Sequence, residues 1–415
     1  MITFVNRTCL ISPFIHFLYL ASDMKRLLVL TSRFPYPLER GDKLRVYHQM
    51  RELSQSMEIY LFSTTDREVK PEERAALEAF CKEVHIHHVK PFDIALALIK
   101  GIFSRLPFQV HYFFRRSFHR FLLQEHARIQ PDVVFCQLLR MAEYAEGMDG
   151  RKALDYMDTF SLGMQRRIGQ SARWKRPLLA WEYRRLQRYE RDIFPRFDQH
   201  CIISAQDRDA LPLGDTSGVV VIPNGVDANF FQPKPTIRSD QDLVYVGNLG
   251  YFPNVQASKI LAREILPGLG KPQKLLLLAG ARPAAEVLQL GSDPAVSLTG
   301  WVEDIRDEYA RGKVFAAPLF SGSGQQNKIL EAMSMGLPCV VTDIVNKAIG
   351  GTHGQHLLLA NSVPEFQEAI IQLLEEDGLR SRIGHAAREF VLATYDWKQV
   401  GDQLRRWLLV PDHPS

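Results

Sequence analysis

Cysteine is scarce here and nowhere paired in sequence. Five residues (Cys9, Cys81, Cys136, Cys201 and Cys339) are spread over 415 with no C-x-x-C spacing. Neither a disulfide framework nor a zinc knuckle is indicated, and a reducing cytoplasm is the expected compartment. Charge imbalance is small as well. A net +4 is too little to argue for a nucleic-acid partner. Beyond the N-terminus no run approaches the ~18 apolar residues that a spanning helix needs. Short-period repeats, low-complexity tracts and long polar linkers are missing too. There is no G-x-x-x-x-G-K-[ST] loop, and "GNLG" and "AGAR" do not make a G-x-G-x-x-G fingerprint, so a P-loop or NAD enzyme is not supported. "HIHH" (85–88) puts His85 and His87 on one strand face but offers no third ligand, so no metal site is expected.

What remains is a soluble, two-domain composition: 46% hydrophobic, 24% charged and too long for one ordinary core. The first 23 residues, "MITFVNRTCLISPFIHFLYLASD", are apolar but too short and too broken by Pro13 for a span. "MKRLLVLTSRFP" then has the form of a first buried strand. Met24 is therefore the expected start and residues 1–23 an extension, with a signal or anchor segment as the alternative.

From there strand-like and helix-like segments alternate, which predicts parallel sheets flanked by helices. Strands are expected near 27–32, 58–66, 84–89, 132–137, 152–158 and 199–205. A second series follows near 242–250, 274–280, 296–302, 314–320 and 338–343. The fold class is therefore α/β, with two Rossmann-like doubly wound domains facing a cleft. The expected boundaries are 24–215, a hinge at 216–235 in "VVVIPNGVDANFFQP", and 236–385, with 386–415 a C-terminal helix packing back on the N-terminal domain. "SVPEF" places a capping box at Ser362 and Glu365.

The chemistry is concentrated in "SGSGQQNKILEAMSMGLPCVVTD" (321–343). A glycine-rich loop runs into a helix that Gly336 and Pro338 should stop. Free backbone N–H groups and the helix dipole make such a start an anion site suited to phosphate. Lys328 adds a cation, whereas Glu331, one turn on, suits hydroxyls such as those of a ribose. A strand-to-helix turn with a surface Lys–Glu pair is the plainer reading of this stretch.

Five motifs occur in order: "IPNGVD" (222–227), "VGNLGYFPN" (246–254), "LAGARP" (278–283), "LTGWVEDI" (298–305) and "GSGQQNKILEAMSMGLPCVVTD" (322–343). Together they resemble the retaining glycosyltransferases of family 4, which have the GT-B fold. They are most similar to the branch acting in bacterial exopolysaccharide synthesis, whose members carry Y-x-P-N and G-S-G-x-x-x-K-x-L-E-A. The resemblance covers about residues 25–410. It implies a UDP- or GDP-sugar donor in the C-terminal domain, no metal or other cofactor, and an acceptor on the N-terminal domain. It also implies that Glu331 holds the donor ribose, that the amides around Ser323 and Gly324 hold the diphosphate with Lys328, that Gly247 and Asn254 line the cleft, and that Val302 meets the nucleobase. Four expected charges are absent. Ser323 stands in place of a Glu, Gln326 in place of an Arg, and Asn248 and Pro253 replace an Arg and a Lys. Neutralising a diphosphate would then rest on Lys328, the helix dipole and an arginine from elsewhere.

In the first half, "PYPLERGDKLR" puts Gly41 and Asp42 at a helix start, with Arg45 placed to reach the diphosphate. An ordinary βα loop is the alternative. "LDYMDTFS" offers Asp158 near the reacting sugar, or Asp155 in its stead, and a helix cap is another role for Asp158. Two basic stretches, 99–123 and 164–196, suit an anionic membrane surface and a lipid-linked acceptor, or else solvated helix faces. The expectation is a cytoplasmic hexosyltransferase, peripheral on the inner face of the plasma membrane, making a cell-surface polysaccharide. A sugar-nucleotide epimerase of the same architecture and a non-catalytic scaffold are the alternatives.

Overall fold

The computed structural model describes residues 24–270, 272–320 and 324–409. The 1–23 segment, with Cys9, and Ser323 lie outside the described residues. The chain divides into two compact units. The first runs to Asp155 and takes in Ile193–Gln199; the second comprises Tyr156–Asp192 and everything from His200 onward.

The first unit is built on five parallel strands, β1 (Lys25–Thr31), β2 (Met57–Thr65), β3 (Glu83–His88), β4 (Val133–Gln137) and β5 (Arg151–Asp155), in the order β3-β2-β1-β4-β5. Helices cover the sheet, so the central strands are apolar at successive positions rather than alternately. Leu27, Leu28, Val29 and Leu30 of β1 are all fully buried. The crossovers carry α1 (Gly41–Leu53), α2 (Pro71–Glu78), α3 (Pro91–Ile102), α4 (Phe108–Phe113) and α5 (Arg116–Ile129). "HIHH" is absorbed by packing. His85 stacks on Phe62 at 4.6 Å between ring centres, and His87 on Phe118 at 4.6 Å. Glu83, His85 and Glu125 lie close together, but Arg128 donates to both carboxylates at 2.5 Å.

In the second unit α6 (Phe160–Gln170) and α7 (Arg176–Ile193) come first, and β6 (Gln199–Ile202) pairs in parallel with β7 (Val219–Val221). The six-stranded parallel sheet follows. Its strands are β8 (Gln241–Val246), β9 (Leu276–Ala279), β10 (Val296–Gly300), β11 (Gly312–Ala317), β12 (Cys339–Val341) and β13 (Leu358–Leu359), ordered β10-β9-β8-β11-β12-β13. Both strand series lie where the apolar runs place them. β7 and β13 are additions, too short to announce themselves by pattern. The helices that matter here are α8 (Ala205–Asp209), α9 (Phe252–Ile260), α10 (Ile305–Arg311), α11 (Asn327–Ser334), α12 (Val363–Glu375), α13 (Asp377–Thr394) and α14 (Trp397–Leu409).

Punctuation follows the residues that encode it. Gly336 ends α11 with φ at +76°, the left-handed region that glycine enters without penalty. Ser362 caps α12, accepting from the Glu365 amide and donating to its carboxylate at 2.8 Å, but the box is not reciprocal, because the backbone amide that Glu365 accepts from is that of Asn361, at 2.8 Å. The "IPNGVD" segment is tied to the C-terminus. The Val226 amide donates to Tyr395 O at 2.7 Å, and Gln403 on α14 donates to Val221 O at 3.1 Å. At Gly225 an added Cβ would lie 2.6 Å from the indole of Trp397, which is almost completely buried.

Candidate functional site

Tyr245 is the penultimate residue of β8, Asn254 lies in the first turn of α9, and Lys328 is the second residue of α11. The folded unit brings them together. The Lys328 ammonium donates to the Tyr245 hydroxyl at 3.0 Å and to Asn254 Oδ1, and Tyr245 donates to the same Oδ1 at 2.8 Å. Lys328 also stands over the Tyr245 ring, 4.9 Å from its centre. Gly247 leaves the room for this. A Cβ there would meet Asn254 Nδ2 at 2.9 Å and Lys328 Nζ at 3.5 Å. No carboxylate forms an ion pair with the ammonium among the described residues. Burial among neutral partners pulls Lys328 down to about 7, with Glu331 acting the other way.

Three residues along α11, on the adjoining face, Glu331 accepts a hydrogen bond from the Tyr309 hydroxyl at 2.8 Å. Tyr309 is fully buried on α10 and also reaches the Lys328 carbonyl at 3.1 Å. Burial pushes the Glu331 carboxyl up, and Tyr309 and Lys328 pull it back. One helix face thus presents a proton-labile cation and a carboxylate, each braced by a buried tyrosine.

The loop before α11 is fixed by "IPNGVD". Gln325 accepts from the Asn224 amide at 2.6 Å and donates to the Asn224 carbonyl at 2.9 Å, while Asn224 Nδ2 reaches Asn327 Oδ1 at 3.1 Å. Gly324 turns with φ at +80°. It borders a pocket of about 770 Å³ inside the second unit, whose lining includes Asp158, Arg166, Arg167, Tyr251 and Gln326. That volume suits a ligand of nucleotide-sugar size. Met157 takes a left-handed φ of +61° immediately before Asp158, an unusual conformation for a residue with a side chain. Asp207, almost completely buried on α8, also borders the pocket and accepts from Ser204 Oγ at 2.5 Å. Burial raises its carboxyl; Ser204 and Arg166 lower it.

Of the residues singled out in the sequence, Lys328, Asn254 and Gly247 form one cluster, Glu331 follows on the same helix, and Gly324 and Asp158 line the pocket. Val302 is half-buried in the loop after β10 and is not among the pocket's lining residues. The first unit requires a correction. Arg45 is fully enclosed, its Nε 2.7 Å and Nη2 3.2 Å from the two oxygens of the equally buried Asp155. Gln49 donates to Asp155 at 3.0 Å as well. Neither Arg45 as a diphosphate ligand nor Asp155 as a working acid survives, because each holds the other out of solvent. Gly41 opens α1 as expected, but Asp42 accepts from Arg33 at 2.5 Å and lies 3.7 Å from Arg140. The arginines at the pocket are instead Arg166 and Arg167, in a stretch whose composition reads as a surface helix. Tyr245 and Tyr309 were equally hidden, since a tyrosine in the apolar run of β8 reads as core and one among the charges of "IRDEYARGK" reads as surface.

Residues 240–376 match the family model described as glycosyl transferases group 1. The protein is a glycosyltransferase. Relatives extend the likeness over most of the chain. An uncharacterized 44.6 kDa protein in the cps region of Klebsiella pneumoniae is 22% identical over 397 residues, 91% of this chain and 98% of that one. The phosphatidyl-myo-inositol mannosyltransferase of Mycobacterium leprae (strain TN) is 26% identical over 202 residues, 46% of this chain and 53% of that one. Among solved structures, Anabaena HepE in complex with UDP superposes with a TM-score of 0.66 at 16% identity, covering 93% of this chain and 99% of that one. The fold is that of the GT-B glycosyltransferases.

Proposed function

We propose that this glycosyltransferase is a retaining one of family 4, moving a hexose from a UDP- or GDP-sugar to a lipid-linked saccharide in the synthesis of a cell-surface polysaccharide. The observation that carries the reading is the Lys328–Tyr245–Asn254 cluster at the start of α11, with Glu331 further along the same helix; Gly324 and Gln326, just before that helix, border the pocket together with Arg166 and Arg167. In this reading Lys328 and the helix terminus take the donor diphosphate, the two arginines stand in for the charge missing at Gln326, and Glu331 holds the ribose hydroxyls. Further support comes from the bound UDP in HepE and from the cps-region setting of the Klebsiella relative.

Transfer would proceed on the face from which the diphosphate leaves. The bond from the anomeric carbon to the diphosphate oxygen breaks, the acceptor hydroxyl attacks from the same side, and its proton passes to the departing diphosphate. The protein's part is positioning and charge stabilisation, with Asp158 on the acceptor side of the pocket. No divalent ion is required in this scheme, so transfer should persist in chelator. Calorimetric titration with UDP- and GDP-sugars, paired with turnover of Lys328→Ala and Glu331→Ala, tests the site. Loss of transfer in folded variants supports it, and near-normal turnover in both rejects it.

A further inference from the structure

α3 is a helix without a core. Its sequence, "PFDIALALIKGI", is apolar almost all round, and such a helix normally lies inside a protein or a bilayer. Yet Gly101 is its one buried residue. Gly101 sits where a Cβ would approach the His111 ring at 3.0 Å and Phe108 at 3.2 Å, which pins the end of α3 against α4. Phe92 is 77% exposed, Ile99 57% and Phe103, directly after the helix, 89%; Leu96 is exposed too. At 100° per residue, positions 92, 96, 99 and 103 fall within one narrow stripe. A 12-residue helix is about 18 Å long, too short to cross the ~30 Å of a hydrocarbon core but long enough to lie along its surface.

Beside the stripe runs a groove of about 730 Å³, lined among others by Asp93, Leu96, Lys100, Arg115 and Arg116. Arg115 Nη1 donates to the carbonyls of His111 (3.1 Å) and Phe114 (2.7 Å). Its Nε and Nη2 are enclosed and have no hydrogen-bond partner among the described residues. Lys90 and Arg105 are exposed at either end of α3. Asp93 is the single acid on α3, against this run of cations.

We infer that α3 is a bilayer-docking element. Phe92, Leu96, Ile99 and Phe103 insert into the interfacial region of an anionic membrane, and the Lys100–Arg115–Arg116 groove receives a phospholipid phosphate. Charge selects this occupant over a second copy of the chain, because two copies of the same cationic rim repel. The sequence offered 99–123 and 164–196 as membrane-facing stretches; the exposed apolar stripe lies at 92–103, overlapping the first, with the groove beside it. The inference rests on the first unit alone and is independent of the donor site.

Vesicle flotation of the full chain tests it, using phosphatidylcholine with and without phosphatidylglycerol. The wild type should float with the anionic vesicles, and an Ile99→Glu/Phe103→Ser variant should lose about tenfold or more in partitioning. Both side chains are exposed, so melting temperature and circular dichroism should not change. Lys100→Glu/Arg116→Glu should abolish the preference for phosphatidylglycerol. A Phe103→Trp variant adds a second readout, an emission blue-shift on anionic vesicles alone. The inference is overturned if wild type does not float, if Ile99→Glu/Phe103→Ser floats equally well, or if that variant merely dissociates a dimer. Equal binding to both vesicle types, or an unshifted emission from the Phe103→Trp variant, also overturns it. Donor titration on the same samples separates the two readings. Lost flotation with intact donor binding counts against docking alone, and the converse against the donor site alone.

Discussion

Lys328 is braced by neutral oxygens, and this governs both its charge and its response to pH. With the ammonium pulled down to about 7, the free site is part neutral under ordinary conditions. A diphosphate stabilises the charged form, so binding above about pH 7 takes up a proton, and affinity falls as pH rises. Calorimetry in buffers of different ionisation enthalpy should detect that uptake. Lys328→Met should abolish it and weaken donor binding about 10- to 100-fold, the worth of a charge-assisted contact. Stability has the opposite slope. Between about 7 and the ordinary lysine value near 10.5, the unfolded chain binds the extra proton, so this residue makes the fold more stable as pH rises through that window. Lys328→Met should lose that rise. Lys328 and Glu331 stand out as candidates in the sequence because loop, cation and carboxylate lie within about ten residues of one another. Arg45 was misread because its partner, Asp155, lies 110 positions away, where no local pattern signals it.

At the scale of elements, α6 owes its placement to α7. Glu190, fully buried on α7, accepts the Ser161 amide at 3.1 Å at the start of α6, while its other carboxylate oxygen has no hydrogen-bond partner among the described residues. Burial pushes this carboxyl up to about 7, against the pull of the Ser161 and Phe160 hydrogen bonds. The folded state therefore holds a proton that the unfolded chain releases, and stability falls as pH rises from about 4.5 to about 7. Glu190→Gln keeps an acceptor for Ser161 and removes the buried charge. It should raise stability by about 2–3 kcal/mol near pH 8 and change little near pH 4, as melting curves at the two values would show. A different test applies to "IPNGVD". Gly225→Ala drives a methyl into Trp397 and should cost about 1–3 kcal/mol, read as a lower melting temperature. Such close approaches explain what the sequence could not disclose. Asn-Gly marks a turn, but only the folded chain shows that the glycine serves a tryptophan far along the chain, at the start of α14.

For the molecule as a whole, strand positions followed from alternating apolar runs, and those survive because parallel strands covered on both faces need continuous hydrophobicity. Sites assembled from distant segments did not follow. The first unit is held at its centre by the enclosed Arg45–Asp155 pair. Removing one partner with Asp155→Ala should cost about 3–5 kcal/mol in denaturant unfolding, while Arg45→Met/Asp155→Leu should approach neutrality, since the lone buried charge is the costly species. The pocket of the second unit is bordered by segments near 158–167, 207, 251–253, 319–326 and 344–345. No stretch of the unfolded chain reproduces that arrangement, so any ligand of the pocket binds the native state alone. Its free energy of binding then adds in full to resistance against heat. At a thousand times its dissociation constant, a ligand contributes about 4 kcal/mol. An unlabelled panel of sugar nucleotides can therefore be ranked by melting-temperature shift, before any acceptor is known.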